Sequence, residues 1–160
     1  MKNFSDISYV EEAELETTTR TLFREEPIQL INSEGGGLQV NPKALDILRQ
    51  IDKPMVVMGV AGLFRTGKSY LLNKMILNRK GGFETKGTVN SCTKGIWMWG
   101  KPLKHERSNG QIVNIVVLDS EGLAAVDQDK EHDSRIFSLV LLLSSVFVYN
   151  GVGTIGKFFL

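Results

Sequence analysis

Residues 55–69 read MVVMGVAGLFRTGKS. The first part, Met55–Ala61, is a short apolar run that follows the turn signal Asp52-Lys53-Pro54. It predicts a strand buried on both faces, as strands of parallel sheets are. The second part, Gly62-Leu63-Phe64-Arg65-Thr66-Gly67-Lys68-Ser69, fits the pattern G-x-x-x-x-G-K-[ST]. From Lys68 to Leu77, the residues Leu71, Leu72, Met75 and Ile76 recur at helical spacing. Strand, glycine-bounded loop and helix form the setting in which such a loop cradles phosphates. Gly62 and Gly67 let the backbone curl so that successive N–H groups point inward. The helix N-terminus adds the positive end of its dipole. In this chemistry Lys68 reaches the β- and γ-phosphates and the Ser69 hydroxyl ligates Mg²⁺. The whole loop and Tyr70 just after it are expected to line the nucleotide phosphates.

A metal held by Ser69 needs an acid. The strand QIVNIVVLD (111–119) delivers Asp119 at its carboxyl end, where ligands sit in such sheets. Asp119-Ser120-Glu121-Gly122 then offers a carboxylate to the Mg²⁺ shell and, at Gly122, an N–H to the γ-phosphate. The loop over 78–94 carries Thr85, Thr88, Ser91 and Thr93. Thr93, just before the next strand, is the best placed to complete the metal shell in a nucleotide-sensing switch. Arg65 inside the loop fits two readings by spacing alone, a solvated arginine or an internal arginine finger.

The flanking sequence extends an α/β pattern. Asn41-Pro42 starts a helix over 43–51, with Asn41 as N-cap and Ala44, Leu45, Ile47, Leu48 and Ile51 on one face. GIWMW (95–99) is a second strand, 100–110 turns the chain, and a hairpin makes the second and third strands antiparallel. Residues 120–132 read as a polar loop, Asp133 as the cap of a helix over 134–143, and 145–149 as a fourth strand. The expected fold class is α/β: a three-layer P-loop NTPase fold with a mostly parallel sheet. Residues 1–27 carry a net charge of −4 and are expected to form an acidic flexible arm, either a solvated tail or a regulatory element. Residues 28–160 would carry the P-loop fold.

Composition sets the outer limits. Apolar residues make up 42% and charged residues 23%, which excludes collagen-like, coiled-coil and wholly disordered chains. A net charge of +1 implies no general attraction to nucleic acid or anionic lipid. The single cysteine, Cys92, excludes an internal disulfide framework and implies a reducing, cytoplasmic setting. Residues 136–156 hold no charge, but the densely apolar part ends at Tyr149, too short for a transmembrane segment. His105 and His132 lack partner spacing and read as surface residues.

GLFRTGKSYLLNKM (62–75), TVNSCTKGIWMW (88–99), the DSEG turn and LLSSVFVYNGVGTI (142–155) together resemble the guanylate-binding protein family, which are dynamin-like large GTPases linked to innate immunity. The likeness runs from about Ile28 to Ile155 and implies that residues 28–160 are the N-terminal portion of a P-loop GTPase domain. It implies a GTPase that takes GTP and Mg²⁺, produces GDP and sometimes GMP, and forms homo- or hetero-assemblies through its GTPase domain. It further implies Arg65 as the internal finger, Ser91 as the hydroxyl orienting the attacking water, Thr93 as the switch threonine, Asp119 as the metal-shell acid and Glu121 as part of the water network. Ser120 replaces the usual threonine, and Cys92 stands where some members carry histidine. No Arg-Asp dipeptide and no N-K-x-D pattern occurs to read guanine, and after Ile155 the sequence GKFFL departs from the family. There is no C-a-a-X lipidation box. These departures raise the alternative of a truncated, non-catalytic fragment that acts as an interaction module or has no autonomous function.

Overall fold

The computed structural model describes residues 23–33, 37–51, 54–85, 94–124 and 130–151. The expected acidic arm falls almost wholly outside these residues. So do Thr88, Ser91, Cys92 and Thr93.

The strand expected over Met55–Ala61 is present as β3. It is preceded by β1 (Pro27–Asn32), β2 (Gln39–Val40) and α1 (Pro42–Arg49). The P-loop helix α2 (Lys68–Leu71) follows, then β4 (Ile96–Trp99), β5 (Leu103–Glu106), β6 (Ile112–Ser120), α3 (Lys130–Leu143) and β7 (Val146–Tyr149). Among the described residues the sheet has seven strands in the order β2-β1-β4-β6-β3-β7, with β5 also against β6. β3 lies parallel to both β6 and β7. The pairs β1–β2, β1–β4, β4–β6 and β5–β6 are antiparallel, so the parallel core is flanked by an antiparallel wing and the sheet as a whole is mixed.

Alternation along the strands divides the core between two faces. Ile96, Met98, Val116 and Leu118 join Ala44 and Ile47 of α1 and Ile136 and Val140 of α3. Trp99 and Val117 join Leu72 and Leu77 from the segment after the P-loop on the other face. Helix, sheet and helix are the three layers expected. α1 begins as read: the Asn41 side chain accepts from the Lys43 N–H at 3.0 Å, and Pro42 follows at the first helical position.

Three sequence expectations are corrected. Residues 103–106, expected as turn, form β5, whose exposed side chains give no period-two signal because backbone pairing to β6 holds it. The helix expected over Lys68–Leu77 is α-helical only to Leu71, and Leu72–Ile76 is a π-helical turn. The wider turn accommodates the buried Asn73, whose Nδ2 donates to the Phe83 carbonyl at 2.8 Å and whose Oδ1 accepts the Phe83 N–H at 2.9 Å. Asp133 does not cap α3, which starts earlier at Lys130; its Oδ2 accepts the Ala124 N–H at 2.6 Å instead. Phe147 of β7 meets Phe137 of α3 edge-on, with ring centroids 5.4 Å apart.

The antiparallel wing is tied to the rest by charge. Glu25 accepts from Arg79 at 2.5 Å and from Lys101 at 2.7 Å. Hydrogen bonding from Arg79 and then Lys101 lowers its carboxyl to about 2. No helix among the described residues is long and apolar enough to cross a membrane.

Candidate functional site

Parallel pairing sets Val60 of β3 opposite Asp119 of β6. The two strands therefore end level, and the loop after β3 lies against the turn after β6. The Phe64 N–H donates to the Leu123 carbonyl at 2.8 Å, and the Leu123 N–H donates to the Gly62 carbonyl at 3.0 Å. On the other flank, the Asn150 N–H donates to the Ala61 carbonyl at 2.8 Å and Asn150 Nδ2 donates to the Thr66 carbonyl at 3.0 Å. The loop is thus fastened from both neighbouring strands. Two glycines make the fit possible. A Cβ on Gly62 would lie 1.9 Å from the Asn150 carbonyl oxygen, and one on Gly122 would lie 2.5 Å from Phe64 Cα.

Within the loop, Thr66 Oγ1 donates to the Leu63 carbonyl at 2.9 Å. Arg65 is exposed and adopts a φ of +62°, a left-handed conformation that side chains other than glycine seldom take. Lys68 is buried, and its Nζ donates to the carbonyls of Gly62 at 3.2 Å and Leu63 at 3.1 Å. Burial pushes its pKa down, against the opposing pull of Asp119 and then Glu121.

Ser69 Oγ donates to Asp119 Oδ2 at 2.5 Å. Asp119 is wholly buried, and its Oδ1 has no hydrogen-bond partner among the described residues. Burial raises its carboxyl from 3.8 to about 6, although the Ser69 hydroxyl and the Lys68 charge act the other way. A buried carboxylate oxygen without a donor, next to a serine hydroxyl, is a donor set suited to Mg²⁺. That ion binds through one or two protein oxygens and completes its octahedron with phosphates and water.

Glu121, two residues on, is also wholly buried but is surrounded differently. Ser33 Oγ, just past the end of β1, donates to Glu121 Oε2 at 3.2 Å. His132 Nε2, in the first turn of α3, lies 2.5 Å from Glu121 Oε1. The Glu121 N–H donates to the Gly95 carbonyl at 2.9 Å. His132 is therefore not a surface residue, as its lack of motif spacing suggested, but a partner of a buried acid.

The family model "Guanylate-binding protein, N-terminal domain" matches residues 35–158. The chain belongs to the guanylate-binding protein family. It is 52% identical to human guanylate-binding protein 1 over 132 residues, 82% of this chain and 22% of that protein. Human guanylate-binding protein 2 is 49% identical over 132 residues, and mouse guanylate-binding protein 1 is 47% identical over 133 residues, each with the same coverage of both chains. The chain thus spans about a fifth of the length of these relatives. The family match extends past Ile155, where the sequence reading ended the likeness.

In this guanylate-binding protein domain, the structure gathers Gly62–Ser69, Asp119, Glu121 and Gly122 around one loop. Tyr70 is 60% exposed on the P-loop helix, with Lys74 Nζ 6.0 Å from its ring centroid. Ser91 and Thr93 lie outside the described residues. Three site residues escaped the sequence reading: Asn150, His132 and Ser33. Asn150 was legible only as a polar break after the last strand. Ser33 and His132 lie 88 and 11 residues from Glu121, distances that no local motif records.

Proposed function

We propose that this chain binds GTP with Mg²⁺ and hydrolyses it to GDP, with GMP as a further product. The observation that carries this reading is the Ser69–Asp119 pair beside the buried Lys68, at the level ends of β3 and β6. Lys68 would exchange its two loop carbonyls for the β- and γ-phosphates. Ser69 and Asp119, with Thr93, would hold Mg²⁺, which supplies charge neutralisation between the phosphates. Gly122 would offer its N–H to the γ-phosphate, Arg65 would act as the internal finger, and Ser91 and Glu121 would orient the attacking water. The family resemblance supports these roles, guanine as the base, a cytoplasmic location and dynamin-like association through the GTPase domain.

A second reading, an interaction module without catalysis, draws on β7. Among the described residues it stands at the end of the strand order, with Val146 and the preceding Leu142 exposed. Binding of a fluorescent GTP analogue with Mg²⁺ separates the two. Lys68→Ala and Ser69→Ala each remove a charge-assisted contact and should weaken affinity about tenfold or more. Unchanged affinity in both variants would overturn the GTPase reading and leave the module.

A further inference from the structure

A buried carboxylate is costly unless its oxygens receive hydrogen bonds. Glu121 receives one on each oxygen, from Ser33 on one side and His132 on the other. A carboxylate only accepts, so His132 presents Nε2–H to Oε1. With the main-chain bond to Gly95, Glu121 is fixed at its backbone and at both ends of its carboxylate. That fixation is tied to the phosphate loop. The residue after Glu121 packs against Phe64, and Leu123 exchanges main-chain bonds with Gly62 and Phe64. Ser33, just past β1, and His132, in α3, therefore set the carboxylate plane relative to the loop.

We infer that His132 and Ser33 are positioning residues that clamp the Glu121 carboxylate against the phosphate loop in the orientation hydrolysis requires. The inference rests on the GTPase reading, in which Glu121 belongs to the network around the attacking water. A carboxylate free to rotate would leave the bound nucleotide in place but misdirect that network. Ångström-scale misplacement of a catalytic group costs rate rather than ground-state binding. His132 contributes more than Ser33, because it gives the closer contact, 2.5 Å against 3.2 Å.

The test uses the full 160-residue chain with Mg²⁺ and GTP, in two arms. In the first, single-turnover hydrolysis at saturating GTP is compared with equilibrium GTP affinity. His132→Ala should slow hydrolysis about tenfold or more, with affinity within about twofold of the parent. His132→Gln, whose amide N–H takes the place of Nε2–H, should recover most of the rate, and Ser33→Ala should slow it about threefold. A merely structural role would lower the melting temperature without this split or rescue. In the second arm, ¹⁵N spectra of the two histidines are recorded without nucleotide, with His105→Gln assigning the His132 signals. An Nε2-protonated ring whose shifts move in Glu121→Gln is expected. Parental-rate hydrolysis in His132→Ala, no rescue by His132→Gln, or a His132 ring indifferent to Glu121→Gln overturns the inference. A parental chain that binds no GTP overturns the GTPase reading instead, and the nitrogen spectra then decide the clamp by themselves.

Discussion

The two buried acids of the Asp119–Gly122 turn occupy opposite environments. The Asp119 side faces β3 and the phosphate loop, and only one of its carboxylate oxygens has a partner among the described residues. The Glu121 side faces β1 and α3, and both of its oxygens are held. A shared degree of burial therefore does not imply a shared role. An acid left short of donors carries a standing cost that a cation would relieve. An acid supplied with donors is fixed in place, which suits a group that must aim rather than bind.

Asp119→Asn gives the largest expected effect, and it breaks the comparison by removing the standing cost. The folded acid keeps its proton up to about pH 6, while the unfolded acid releases it near 3.8. The folded chain thus binds more protons between those values, and this group's contribution to stability falls as pH rises through them. The rise from 3.8 to about 6 corresponds to roughly 3 kcal/mol. Denaturant unfolding without metal or nucleotide should show Asp119→Asn more stable than the parent at pH 8 by up to about 3 kcal/mol, with the gain vanishing near pH 3.5. Equal stability of the two at pH 8 would mean that Asp119 carries no burial penalty.

Gly122→Ala has a smaller effect and sharpens the comparison, because it disturbs both acids at once. The added Cβ meets Phe64 Cα, which is backbone and cannot swing away. Moving the turn from the loop should cost about 1–3 kcal/mol of stability, the range for overpacking a close contact. GTP affinity and hydrolysis rate should both fall, unlike in His132→Ala, where only the rate falls. A Gly122→Ala variant with parental affinity would show that the loop and the turn are not mechanically joined.

Much of the architecture was legible because hydrophobic burial wrote it into local patterns. β3, β6 and β7 are dense apolar runs, and the glycine spacing of the loop is a backbone requirement that no other sequence meets as easily. β1, β2 and β5 were not legible. β1 opens with Pro27, although Leu30 and Ile31 pack into the core; β2 has two residues and β5 (Leu103–Glu106) is mostly exposed, so these two are held by pairing with a neighbour rather than by their own pattern. The π-helical turn depends on Asn73 meeting Phe83, a contact ten residues away. The site divides in the same way. Gly62–Ser69 and Asp119 carry a local motif, whereas Ser33, His132 and Asn150 join the site only after the sheet has formed.

The contrast between the two acids can be read from one titration series, GTP affinity with Mg²⁺ and with chelator, for the parent, Asp119→Asn and Glu121→Gln. If Asp119 holds the metal and Glu121 serves only hydrolysis, Mg²⁺ should strengthen GTP binding in the parent and in Glu121→Gln by about tenfold or more, about 1.4 kcal/mol. Asp119→Asn should bind GTP with nearly the same affinity in both conditions. A full Mg²⁺ dependence in Asp119→Asn, or its loss in Glu121→Gln, would contradict the division of roles between the two acids.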